Sequence, residues 1–223
     1  IDDILLHTFG GQEVTAFDVS DYEGASVRAD LNYPIDRSLY ESADLVIDGG
    51  SLEHVFNVTQ CLYNYMNLIK VGGNLCIMTT ASNYCGHGFY QFSPELFYSL
   101  FTEDRGFSVQ SMVLMLHPYP SAAYGHSKCY EVASPMAVQS RVGLMSRKAA
   151  LVMVHAMKTT HVDLSSVPYP IQSDYLNLHL GENENAGSGG LLVRSVKHVS
   201  NKYPLKTIAN LTPSLLDHMK GLR

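Results

Sequence analysis

Three short apolar runs, at residues 13–19, 25–31 and 43–48, each carry an aspartate at or near the end: Asp18, Asp30 and Asp48. Runs of this length, rich in β-branched and apolar residues and bounded by glycine or turn residues, are strand signals. The third stops at Gly49-Gly50, and a longer periodic stretch follows at once. Leu52, Val55, Phe56, Thr59, Leu62, Tyr63, Met66 and Ile69 recur near helical spacing, which predicts a helix over 51–69 closed by Gly72-Gly73. A strand is expected at 74–79. A further helix is expected from Ser93-Pro94-Glu95 to about residue 101, with Ser as cap, Pro in the first turn and an acid behind it. Gly106 introduces a strand over 107–116, and another is expected at 149–157. Strands alternating with helices imply right-handed βαβ units and an α/β fold with a mainly parallel sheet covered on both faces.

Such a sheet needs a large core, and 46% hydrophobic against 16% charged residues in a chain of 223 supplies one. A net charge of -6 argues against a general nucleic-acid binder, which would carry a basic patch. Cys61, Cys76, Cys85 and Cys129 form no C-x-x-C pair. They read as unpaired thiols in a reducing, cytoplasmic setting. No apolar run approaches the roughly 18 residues of a membrane span. Residues 118–147 read as a long irregular loop. Beyond 158 lies an extension, 159–223, with a linker-like stretch at 181–190 and a helix-like run at 213–219 that suits self-association.

In α/β sheets of this kind ligands bind at the carboxyl ends of the strands, where the three aspartates stand. A carboxylate after one strand can accept both hydroxyls of a ribose, and a second can reach an adenine amine. Turn chemistry alone also favours Asp at such places.

The run VTAFDVSDYEGASVRADLN, followed by ADLVIDGGSLEHV and LIKVGGNLCIMTT, resembles the middle of class I S-adenosylmethionine-dependent methyltransferases of the broad "type 11" kind. The likeness spans about residues 1–158. It implies a Rossmann-like doubly wound, mainly parallel sheet with an antiparallel last strand. By the same resemblance Asp18 would hold the cofactor ribose with Val19 beside the adenine, and Asp30 and Leu31 would frame the adenine ring. Asp48, Gly49 and Gly50 would lie along the methionine end. The run Leu52-Glu53-His54 would open the next helix. The family's glycine-rich turn should fall a little under ~20 residues before Asp18, so it is expected just upstream of Ile1, and the domain is expected to be N-terminally incomplete.

The loop over 81–92 leaves the carboxyl end of a central strand and carries polar groups among glycines and aromatics. A methyl acceptor would be aligned there, and a general base would help if it were a hydroxyl. His87 and His54 are the candidate bases, with Glu53, Asn83, Tyr84 and Tyr90 on the acceptor side. A metal set from His54, His87 and Asp48 lacks the helical H-x-x-x-H spacing of known sites, so no metal is expected. The implied cofactor is S-adenosylmethionine and the implied acceptor a small molecule. Two other readings compete. Tyr124 and Lys128 fit Y-x-x-x-K, with Ser111 upstream, as in an NAD(P)-dependent short-chain reductase. Alternatively, the fold serves as a non-catalytic binding scaffold.

Overall fold

The computed structural model of the protein describes residues 7–8, 10–11, 13–21, 24–116, 127–138, 144 and 146–175. Strands β1 (Phe17–Asp18) and β2 (Val27–Arg28) pair in parallel as a two-stranded sheet. A second sheet holds β3 (Ala43–Asp48), β4 (Ile69–Ser82), β5 (Phe107–Leu116), β6 (Lys128–Glu131) and β7 (Ala150–Lys158), in the order β3-β4-β7-β5-β6. Helix α1 (Val58–Leu68) links β3 to β4, and α2 (Pro94–Leu100) lies between β4 and β5.

The larger sheet is mixed, which corrects the expectation of a mainly parallel one. Within it β3 and β4 are parallel, while β4–β7, β7–β5 and β5–β6 are antiparallel. The reason lies in where β7 goes. Strands β3, β4 and β5 run in one direction, as successive strand–helix–strand units require, but β4 and β5 are not neighbours. The slot between them takes the last strand, β7, in the opposite sense. Apolar runs report that a strand is buried; its direction comes from the connections. The 118–147 segment is not wholly irregular either, because it contains β6 and the short helix α3 (Pro135–Val138).

The helix expected over 51–69 is broken near its start. Leu52–His54 forms a single 3-10 turn, Val55 is extended, and α1 begins only after Asn57, whose Oδ1 accepts from the Gln60 N–H at 3.3 Å. Two sets of hydrogen bonds, one local and one tertiary, force the break. The Asp48 carboxylate gathers the N–H groups that follow it, and Asn57 donates through its backbone N–H and its side-chain amide to Asn32 Oδ1 and the Asn32 carbonyl at 2.8 and 3.1 Å. Asn64, fully buried on α1, holds the other side of the same segment through the Leu31 and Tyr33 carbonyls and the Ile35 N–H.

Gly72 and Gly73 do not stop α1; they lie inside β4. A Cβ on Gly73 would come within 2.8 Å of Ile69 Cγ2 and 3.0 Å of the Asp44 carbonyl, so the close approach of β3 demands glycine. The end of α1 is closed instead by buried Lys158, which donates to the Met66 and Ile69 carbonyls at 3.2 and 2.9 Å and pairs with Glu41 at 3.0 Å.

One core joins these elements. Cys61, Leu62 and Met66 of α1 and Phe97 and Leu100 of α2 pack with Leu75, Ile77, Met112, Val152 and Val154, alternate residues of the central strands. Such alternation is the period-two signature of a strand face. An aromatic file, Phe92–Phe97–Phe101–Phe107, runs through it with ring centroids 5.6–6.2 Å apart. The start of the 159–223 extension is packed on this core. The Gly106 carbonyl accepts from the Thr159 N–H at 2.8 Å, the Arg105 guanidinium donates to the Pro168 carbonyl, and the Ser173 N–H donates to Glu95 at 2.9 Å. The stretches 181–190 and 213–219 lie outside the described residues.

Gly106 sits at φ 75°, and a Cβ there would meet the Thr160 carbonyl at 2.4 Å. Gly106→Ala is therefore expected to cost about 1–3 kcal/mol in a urea titration, the usual cost of a side chain forced into left-handed backbone. An unchanged midpoint would contradict the tight seating of 159–160 on this turn. No helix among the described residues is long and apolar enough to cross a membrane. All four cysteines are free, and burial pushes the Cys61 and Cys76 thiols up to about 12 and about 11.

Candidate active site

The parallel pair β3–β4 creates the site. In register, Asp48 at the end of β3 stands beside Ile77, so the chain leaving β3 crosses the end of β4 near Thr79. The crossing is shaped by Asp48 itself. Its Oδ1 accepts from Gly50 N at 2.9 Å and Ser51 N at 2.6 Å, and its Oδ2 from Leu52 N and the Tyr65 hydroxyl, both at 3.1 Å. The side chain is buried, and desolvation raises its pKa above the ordinary value in spite of those donors. Asp48 thus orders the turn that carries the next residues, and its acceptor capacity is engaged in doing so.

That turn delivers Glu53 inward. Glu53, expected on the acceptor side, is only 2% exposed, which is rare for a glutamate. The Thr79 hydroxyl donates to its Oε2 at 2.7 Å, while Oε1 faces His87 Nε2 at 3.5 Å. His87 comes from the loop after β4, and its side chain is about half exposed. His54, next to Glu53, sets its ring edge-on to His87 with centroids 4.8 Å apart, and the Tyr84 ring stands 6.0 Å from His87. Burial, then the charge of Glu53, raises the Tyr84 pKa above the ordinary phenol value.

The loop is fastened to the turn through its backbone. Phe89 N donates to the Glu53 carbonyl at 2.7 Å, and His87 N to the Tyr84 carbonyl at 2.9 Å. Gly88, at φ 68°, fits where any Cβ would lie 2.7 Å from the Glu53 carbonyl. The Tyr90 hydroxyl donates to the Phe56 carbonyl at 2.9 Å, and Phe56 and Phe89, both largely exposed, meet edge-to-face at 5.9 Å. Two histidines beside a buried carboxylate, with an aromatic rim, can hydrogen-bond and polarise a hydroxyl group.

The remaining sequence-predicted residues divide. Asn83, at φ 60°, uses its amide to hold the Ser146 and Lys148 carbonyls, both at 2.9 Å, and so braces the loop. Gly49 is open, and a Cβ on Gly50 would touch Glu53 Oε1 at 3.4 Å. Asp18 and Asp30 end the β1–β2 region. Each bonds the residue two ahead: Asp18 Oδ1 takes the Ser20 N–H and hydroxyl at 2.7 and 2.9 Å, and Asp30 Oδ1 the Asn32 N–H and amide at 2.9 and 2.7 Å. The Ser20 N–H, then its hydroxyl, hold the Asp18 carboxyl below the ordinary value, so it is an anion at neutral pH. Val19 is 63% exposed beside it, whereas Leu31 packs against the core.

Sequence reasoning missed Thr79 as the partner of Glu53. The available signal was a polar residue at a position whose strand face is otherwise buried and apolar. A cavity of about 340 Å³ lies elsewhere, between α2 and residues 168–173, and none of the Glu53 cluster lines it. Tyr124 lies outside the described residues, Lys128 opens strand β6 opposite Leu116, and Ser111 is on β5. No protein-family model, curated protein or solved structure matches this chain.

Proposed function

We propose that the protein transfers a methyl group from S-adenosylmethionine to a hydroxyl of a small molecule, using His87 as base. The observation that carries this reading is the buried Glu53 carboxylate facing a half-exposed imidazole, at the carboxyl ends of two parallel strands. The acceptor oxygen attacks the methyl carbon in line with the sulfonium. An O–C bond forms, the C–S bond breaks to leave a thioether, and the hydroxyl proton passes to His87 Nε2. Glu53, held by Thr79, lies 3.5 Å from the imidazole nitrogen that takes the proton. S-adenosylmethionine supplies the methyl group and, through its sulfonium, the driving force of the reaction. Anionic Asp18 suits a pair of ribose hydroxyls, and exposed Val19 suits an adenine face.

The Rossmann-like assignment belongs to the same reading. It draws on the common direction of β3, β4 and β5, the antiparallel β7 and the parallel β1–β2 pair. The reductase alternative needs Tyr124 and Lys128 on one helix, whereas Lys128 begins a strand. Asp18→Asn is expected to weaken S-adenosylmethionine binding about 10–100-fold in calorimetry, the loss expected when hydrogen bonds to a charged acceptor go. Affinity unaltered by this substitution would remove Asp18 from the cofactor site.

A further inference from the structure

We infer that Glu53, His54 and His87 form a binding site for one divalent transition-metal ion of the zinc type. The ligand atoms of these three side chains all lie within 4.8 Å of one another, and they are the one such group among the described residues. Around a bound ion, with metal–ligand bonds of about 2.0–2.2 Å, neighbouring donor atoms stand about 3–3.5 Å apart. His87 Nε2 and Glu53 Oε1 are at 3.5 Å already. His54 is exposed, so a rotation of its side chain can bring it into the same shell.

Three features favour an ion over a plain hydrogen-bonded cluster. The first is charge: Glu53 is buried with a second buried acid, Asp48, five residues before it in the chain, and His87 is the one charge partner of Glu53 among the described residues. A buried carboxylate of this kind is stabilised by a cation. The second is support. The Thr79 hydroxyl fixes the Glu53 carboxylate, and the Phe89–Glu53 backbone bond with the close seat of Gly88 fixes the two ligand-bearing segments against each other. Outer hydrogen bonds of that sort orient metal ligands. The third is access: the histidines face solvent, which leaves a coordination position for water or an acceptor oxygen, as in catalytic rather than closed structural sites. Two imidazoles and one carboxylate suit zinc, cobalt or iron(II). Magnesium and calcium prefer all-oxygen shells.

The site shares residues with the methyl-transfer reading but does not rest on it, since metal binding is read without any cofactor. An ion held there would engage the lone pair of His87 and would polarise an acceptor hydroxyl, whose proton would then pass to solvent.

The test is titration of the tag-free protein with Co²⁺, followed by visible absorption, and with Zn²⁺, followed by calorimetry. One ion per chain is expected, with cobalt bands typical of mixed nitrogen and oxygen ligation. His54→Ala and His87→Ala should each weaken binding by more than about 100-fold, because even loss of an outer partner of a metal ligand costs about 10–100-fold. Both are exposed positions, so these variants keep the fold, and circular dichroism checks that they do. Thr79→Val, which leaves all three ligands in place, should weaken binding less, by about 10–100-fold. Absence of stoichiometric binding overturns the inference, as does binding that survives loss of either histidine. Metal binding without S-adenosylmethionine binding leaves the site standing and removes the methyl-transfer reading. Methyl transfer with no bound metal does the reverse.

Discussion

His87→Ala is expected to slow methyl transfer about 10²–10⁴-fold, the range for removal of a positioned general base. Affinity for S-adenosylmethionine should change by less than about threefold, because a residue used in the chemical step lowers kcat rather than uniform binding. Release of S-adenosylhomocysteine across a panel of hydroxylated small molecules measures the rate. His87 Nε2 lies 3.5 Å from a carboxylate that is 2% exposed and held on its far oxygen by Thr79, so the half-exposed imidazole stands at a fixed carboxylate with one side open to an acceptor. Glu53→Gln should reproduce most of the loss without removing the imidazole. Added imidazole should restore part of the rate to His87→Ala and none to Glu53→Gln. An undiminished rate for His87→Ala at saturating acceptor would take the residue out of the chemistry.

Asp48→Ala is expected to lower stability by about 3–5 kcal/mol in urea, because several buried donors lose their acceptor at about 1–3 kcal/mol each. Truncation would strand the N–H groups of Gly50, Ser51 and Leu52 and the Tyr65 hydroxyl, all of which end on this one side chain. Tyr65→Phe removes a single donor and should cost about 1 kcal/mol. The pH dependence has a definite sign. Burial raises the Asp48 pKa above its ordinary 3.8, so the native state holds this proton at pH values where the unfolded chain has released it. Its contribution to stability is therefore fully present below 3.8 and declines as pH rises through the elevated native pKa. The stability gap between the wild type and Asp48→Ala should narrow over that rise. A widening gap would mean that the hydrogen bonds outweigh the desolvation.

Strands β3 and β5 were legible to the residue because each is an apolar, β-branched run with glycine at one border. Helix α2 was legible from its start, where the Ser93 hydroxyl accepts from the Glu95 N–H as the Ser-Pro-Glu order implies. The rest depended on contacts distant in sequence. The break before α1 follows in part from Asn57 donating to Asn32, 25 residues away, while the other tie, Asp48 capping the N–H groups just after it, is local. Gly72-Gly73 reads as a helix stop, yet Gly73 is there because the Asp44 carbonyl of β3 and the Ile69 side chain pass too close for a Cβ, and Gly72 because its backbone is left-handed at φ 85°. β1 and β2 each shrink to two residues, though Asp18 still ends the first. In the site, both histidines were visible as residue types in polar, glycine-bearing sequence. What organises them was not, because the burial of Glu53 is a property of the Asp48 turn and of Thr79 on the neighbouring strand.

On the proposed function, the strand ends bind S-adenosylmethionine. Calorimetric titration of the wild-type protein with S-adenosylmethionine and, separately, with NADH tests it most directly. Saturable heat with S-adenosylmethionine, reduced in Asp18→Asn, and none with NADH is the expected result. Binding of NADH alone, or of neither, would contradict it.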